Sequence, residues 1–149
     1  MQFKILSLSL LALAASALGA TTSHSVTVSY DNVYDNPNTP FSAVSCSDGS
    51  HGFITKGYTS LGSLTRKLRV GVYVGGAGVI GGWNSPQCGT CWKLEYKNGR
   101  SVYTIGIDHT GNGWNIPQAA MDALTDGQAA QLGHVQAVAT IVDNSWCGV

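Results

Sequence analysis

The chain has 149 residues, a formal net charge of zero and only 11% charged side chains, against 44% hydrophobic ones and nineteen glycines. A nucleic-acid binder needs a basic stripe to meet phosphates, and a disordered chain lacks the apolar residues to fold, so this composition excludes both classes. It leaves one globular domain whose uncharged polar surface suits neutral partners such as sugars.

The first element reads as a secretory signal. Lys4 supplies the positive start, residues 5–15 an apolar run, and Ala17-Leu18-Gly19 the small-x-small cleavage pattern. The signal peptide is expected over residues 1–19, with cleavage between 17 and 20 and preferably after Gly19. The run is shorter than the roughly 20 apolar residues that cross a bilayer, and no later segment is apolar enough, so the mature chain should be secreted with no membrane span. Residues 20–149 then form a single domain. Losing Lys4 leaves seven basic against eight acidic residues.

Within that domain, Val26, Val28 and Tyr30 alternate with Thr27 and Ser29, which predicts a strand with one buried face. Residues 31–40 are turn-rich, and Ser47-Asp48-Gly49-Ser50 makes another turn after Cys46. Phe53-Ile54-Thr55 reads as a short strand, whereas the Gly/Val-rich residues 70–80 show no clear period.

The best-defined unit is a hairpin. Trp92, Leu94 and Tyr96 alternate with Lys93, Glu95 and Lys97 before Asn98-Gly99, the strongest type I′ turn signal. A two-residue turn sets Tyr103 opposite Leu94 and Ile105 opposite Trp92, giving one apolar face that also holds Tyr96 and Ile107. Asn115-Ile116-Pro117 starts a helix that carries Ala119, Ala120, Ala123 and Leu124 and stops at Asp126-Gly127. Residues 128–132 give a second helix, and residues 135–142 an apolar strand expected to be buried on both faces. About six short strands with one or two small helices predict a mainly β fold, a closed barrel.

Four cysteines in a secreted chain imply two disulfides, and pairing Cys88 with Cys91 would close only a tiny ring. Loop-closure entropy favours long loops, about 4 kcal/mol each, but it scores Cys46–Cys88 with Cys91–Cys147 equal to Cys46–Cys91 with Cys88–Cys147. Cys88-Gly89-Thr90-Cys91 after a tryptophan also looks like a thioredoxin-type redox loop. That chemistry needs a helix N-terminus to lower a thiol pKa, and here Cys91 opens into a strand. Structural disulfides are therefore expected.

The sequence resembles the cerato-platanins, small secreted proteins of filamentous fungi. The resemblance is carried by Val28-Ser29-Tyr30-Asp31 with Tyr34-Asp35, Cys46-Ser47-Asp48-Gly49, Thr55-Lys56-Gly57-Tyr58, Gly82-Trp83-Asn84-Ser85, Cys88-Gly89-Thr90-Cys91-Trp92, Asp108-His109, Gly113-Trp114-Asn115-Ile116, Ala120-Met121, Gly127-Gln128-Ala129, Leu132-Gly133 and Cys147-Gly148. It implies a six-stranded double-psi β-barrel related to the first domain of expansins, with the pairing Cys46–Cys88 and Cys91–Cys147. It also implies a non-catalytic protein that binds chitin or N-acetylglucosamine oligomers, loosens cellulosic and other cell-wall polysaccharide, self-associates at interfaces, and acts as an effector and elicitor of plant defence through a plant surface receptor. One segment departs from the family pattern. Residues 65–74 run a few residues longer and hold Arg66, Lys67 and Arg69, three of the seven mature cations. A basic surface loop and a gene-model error both account for it.

A barrel of this class offers an open groove where polar and aromatic loop residues converge. The carbohydrate-binding candidates are Tyr30, Asp31, Asp35, Trp83, Asn84, Ser85 and Asp108, with Tyr34 beside the first three. Each has a structural alternative: Asp31 and Asp35 can cap local backbone, and Trp83 can be core, as Trp92 is expected to be. Asp108 follows an apolar strand and precedes a Gly-rich loop, where binding groups concentrate. Hydrolysis would need a second carboxylate at a defined separation, so a weak glycoside hydrolase or lytic transglycosylase with Asp108 as general acid is the enzymatic alternative. An interfacial self-assembling surface protein is the third reading. His51, His109 and His134 lack metal-ligand spacing, and neither metal nor cofactor is expected.

Overall fold

The computed structural model describes residues 21–149, so the signal-peptide reading lies outside the described residues. Its elements are β1 (Ser23–Tyr30), α1 (Leu61–Thr65), β2 (Val72–Ala77), β3 (Cys91–Glu95), β4 (Ser101–His109), β5 (Trp114–Ile116), α2 (Gln118–Thr125), α3 (Ala129–Leu132) and β6 (His134–Val142). The strands close into a barrel in the order β1-β5-β2-β4-β3-β6. Pairs β1–β5 and β2–β4 run parallel, and the other neighbours antiparallel. This is the six-stranded barrel expected, carrying three short helices rather than one or two. Among the described residues no helix is long and apolar enough to cross a membrane.

Local chemistry explains most of these elements. The alternation in β1 buries Val28 completely and leaves Ser29 half-exposed. Pro117 precedes α2, whose first free N–H groups, on Gln118 and Ala119, donate to the Asp35 carboxylate at 2.7 and 3.1 Å. The helix ends where Asp126 and Gly127 take left-handed φ values of 59° and 79°. Gly113 has φ 60°, and a Cβ there would fall 1.9 Å from the Thr27 carbonyl oxygen. Only glycine lets the chain enter β5 that close to β1.

Five sequence expectations change. Asn98 and Gly99 both have positive φ, 60° and 71°, as a type I′ turn requires, and the Arg100 N–H donates to the Lys97 carbonyl at 3.2 Å. The Tyr96 N–H, however, donates to the Arg100 carbonyl at 2.8 Å, so Tyr96 and Lys97 together oppose Arg100 as a bulge. The register slips by one: Leu94 faces Val102, and Trp92 faces Thr104. Tyr103 thereby leaves the expected apolar face and pairs with Lys93. β6 alternates buried Val135, Ala137 and Ala139 with exposed Gln136 and Val138, so it is buried on one face only. Phe53-Ile54-Thr55 is a turn, because the Phe53 ring is pulled into a stack on Phe41 at 4.8 Å with Tyr58 edge-on. Residues 72–77 form β2 in the barrel wall, which leaves residues 66–71 of the divergent 65–74 segment as surface turn. Asn115 and Ile116 lie in strand β5, before the helix, because β5 pairs with both β1 and β2.

The core has two parts. Trp92 and Trp114 meet in the barrel at 6.0 Å between centroids, with Val28, Leu94 and Ala139 among the buried residues. The long β1–β2 connection adds Phe41, Phe53, Leu61 and Leu64. Two disulfides form, in the pairing that the resemblance implied: Cys46–Cys88 ties the β1–β2 connection to the loop before β3, and Cys91–Cys147 ties the start of β3 to the segment after β6. Cys91 begins a strand and follows no helix, and both sulfurs of the Cys-Gly-Thr-Cys loop are bonded elsewhere.

Candidate functional site

Asp108 lies near the end of β4, just past an irregularity. Gly75 pairs with Gly106 but Gly76 with Asp108, so Ile107 is the extra residue that re-aims the Asp108 side chain. Oδ1 accepts from the Ser45 N–H, the Ser45 hydroxyl and the His109 N–H, each at 2.8 Å. Oδ2 accepts the Tyr34 hydroxyl at 3.0 Å. Tyr34 is buried, and its phenol pKa is pushed well up, first by desolvation and then by the neighbouring Asp108 charge. A proton therefore stays on the phenol and points at the carboxylate. The ring Nδ1 of His109 pairs with the Ile80 carbonyl at 2.5 Å rather than with Asp108.

A second cluster forms around Trp83. The indole is 64% exposed, and its N–H donates to Asp48 Oδ1 at 2.6 Å. That bond fixes the ring's rotation while leaving most of its surface to solvent. Asn84, at φ 56°, accepts from the His51 N–H at 2.9 Å and the Ser50 hydroxyl at 3.3 Å. Its carbonyl pairs with His51 Nδ1 at 3.1 Å. Ser85 holds the next turn, its hydroxyl accepting the Gln87 N–H at 3.2 Å. Asn84 and Ser85 thus brace the loop that presents Trp83. Trp92 is buried, as expected, and donates to the Thr90 hydroxyl at 2.8 Å.

The two clusters are neighbours. Ser45, bonded to Asp108, lies three residues from Asp48, bonded to Trp83. Ile80, bonded to His109, lies three residues before Trp83. Three residues span at most about 10 Å of backbone, so short stretches of chain link the loop that carries the indole to the Asp108 cluster.

The remaining candidates stand around the Tyr34 side. Asp31 caps its own turn, accepting the Val33 N–H at 2.9 Å, and Asp35 caps α2. Tyr30 is half-buried at the end of β1, paired with Ile116. Nothing in the sequence singles out Ser45, nor Asp48 as a partner of Trp83. The pairing Cys46–Cys88 is the signal that could have found them, since it brings residues 45–48 beside residues 83–88. Among the described residues no group of three or more His, Cys, Asp or Glu could hold a metal ion.

Comparison with known proteins gives consistent matches. The family model described as Cerato-platanin matches residues 26–149. The chain is 43% identical over 122 residues to a heat-stable 19 kDa antigen of Coccidioides posadasii, covering 82% of this chain and 80% of the relative. The crystal structure of cerato-platanin 3 from M. perniciosa superposes with a TM-score of 0.77 at 45% identity, covering 85% of this chain and all (100%) of that one. The solution structure of the fungal elicitor cerato-platanin gives 0.70 at 36% identity, over 83% of this chain and 97% of that chain.

Proposed function

This chain belongs to the cerato-platanin family, and from that premise we propose that it is a secreted, non-catalytic binder of chitin or N-acetylglucosamine oligomers, acting at the fungal cell wall and perceived by plants as an elicitor. The observation that carries the reading is the exposed Trp83 indole, pinned by Asp48, which lies three residues along the chain from the Ser45 that bonds Asp108. A sugar ring lays its C–H face on the indole. Its hydroxyl and acetamido N–H groups donate to carboxylate oxygens with capacity left: Asp48 Oδ2 takes no hydrogen bond from the described residues, and Asp108 Oδ2 takes one. The apolar-plus-polar pairing suits a neutral ligand.

Binding is favoured over hydrolysis by the carboxylates. Glycoside cleavage uses two acidic groups flanking the scissile bond. Here Asp31 and Asp35 hold backbone N–H groups, Asp48 holds Trp83, and Asp108 holds Tyr34 and Ser45. All four are tied into the scaffold as acceptors. The description of a solved relative as a fungal elicitor supports the proposed role toward plants.

Titration with an N-acetylglucosamine tetramer, followed by amide and indole resonances, tests the reading. The Trp83 indole N–H and the His109 amide should shift, and Trp83→Ala should weaken binding about tenfold or more. No shift at millimolar ligand would defeat it. Reducing-end release from glucan or peptidoglycan, abolished by Asp108→Asn, would replace it with the hydrolase or lytic transglycosylase reading.

A further inference from the structure

A second surface, which the sugar reading does not use, joins three exposed features. Val70 is wholly exposed at the tip of the turn between α1 and β2, just before Gly71 at φ 80°. Arg66, Lys67 and Arg69 surround it, all exposed, and none lies within ion-pair distance of an acidic group among the described residues. The turn is held against the C-terminus: the Arg69 N–H donates to the Cys147 carbonyl at 3.0 Å. Next to Cys147, Trp146 is 52% exposed and lies parallel to Tyr103 at 5.5 Å between centroids. Tyr103 in turn pairs with Val72, two residues beyond Val70. The chain therefore presents one contiguous patch: a bare aliphatic tip, a fixed Trp–Tyr stack and three unpaired cations.

We propose that this patch docks the protein on an anionic lipid surface. Tryptophan and tyrosine prefer the depth of lipid headgroups, where an apolar ring and a polar tip are both satisfied. Arginine and lysine beside them meet anionic headgroups, and a single aliphatic tip enters the acyl boundary. The rings and the turn are already ordered, by the stack, by the Cys91–Cys147 disulfide and by the Asp143 carboxylate capping the Ser145 N–H at 2.9 Å, so docking costs little conformational entropy. Of the nearby acidic side chains, Asp143 holds the Ser145 N–H and Glu95 pairs with Lys93 at 2.5 Å. An acidic polysaccharide would use the cations and the rings but leaves Val70 without a role, which is why the lipid surface is favoured. Attachment here is peripheral and reversible.

Co-sedimentation of the mature chain with vesicles tests this. Partitioning should be strong on phosphatidylcholine vesicles containing about 30% phosphatidylserine, near background on pure phosphatidylcholine, and reversed by high salt. Substituting Arg66→Gln, Lys67→Gln and Arg69→Gln together should lower it about a hundredfold, roughly fivefold per cation. Val70→Asp should also reduce it, whereas Trp83→Ala should not, which separates this surface from the sugar site. All substituted side chains are exposed, and an unchanged melting temperature verifies the fold. Equal binding to both vesicle types, no binding, or indifference to the triple substitution would overturn the proposal. So would retention on a polyuronate gel without vesicle binding.

Discussion

Replacing Asp108 by alanine should cost the protein about 3–4 kcal/mol of stability, before any ligand is considered. The carboxylate accepts from the Tyr34 hydroxyl, the Ser45 N–H and the Ser45 hydroxyl, three groups more than sixty positions away in sequence. Hydrogen bonds to a charged group contribute about 1.5–3 kcal/mol each, and an orphaned buried donor costs about 1–3 kcal/mol. Tyr34 is buried, so its hydroxyl regains less water than Ser45 does when the partner is lost. Ser45 is half-exposed, so water recovers part of its loss and the contributions fall short of a simple sum. In a domain of about 130 residues, each kcal/mol shifts the melting temperature by about 3–4 °C, so the midpoint should fall by about 10 °C or slightly more. Asp108→Asn keeps an acceptor toward Ser45 and should lose about half as much. Thermal unfolding of both variants and of Tyr34→Phe, completed as a double-mutant cycle, should give a Tyr34–Asp108 coupling of about 1–2 kcal/mol. Melting within about 2 °C of the parent for Asp108→Ala, or no coupling, would refute this view of Asp108 as the clamp between β4 and the loop that carries Asp48.

Two further outcomes follow from the same geometry. The folded state raises the Tyr34 pKa above its ordinary value of 10.0, so the native phenol holds its proton more tightly than the unfolded one. Its contribution is fully present below about pH 10 and declines as pH rises above that, a slope that melts between pH 8 and 11 should reveal and Tyr34→Phe should reduce. The Cys91–Cys147 bridge closes a sequence separation of 56, worth about 4 kcal/mol by loop entropy. The Cys91→Ser/Cys147→Ser variant should melt far below the parent and lose order at Trp146 first, which hydrogen exchange near the C-terminus would check.

Local rules were readable in the sequence where the deciding contacts are local. The β1 alternation, the Asn98-Gly99 turn and the stop of α2 at Asp126-Gly127 all follow from backbone chemistry within a few residues. Failures occurred where a distant partner decides. The bulge at Tyr96–Lys97 moves Tyr103 to the outer face, where Trp146, forty-three positions later, stacks on it. Phe53 looked like strand because aromatic residues favour strands, yet its ring is claimed by Phe41 and Tyr58. The three residues of β5 are strand only because β1 and β2 flank them. In the candidate site, the end-of-strand position marked Asp108, and the turn-rich composition warned that Asp31 and Asp35 cap backbone. Nothing local told that Asp48 would orient Trp83 or that Ser45 would reach Asp108, because both contacts depend on how the Cys46–Cys88 bridge folds the loop.

The binding account rests on one surface, and a crystal structure with a chitin oligomer tests it most directly. It predicts a sugar ring lying on the Trp83 indole, with hydroxyl or acetamido groups within hydrogen-bond reach of Asp48 Oδ2 and the Asp108 side. An oligomer seated elsewhere would contradict it. The most telling such place is the barrel-mouth cavity of about 190 Å³ lined by His24, Trp92, Asn112 and Trp114, with Trp83 untouched.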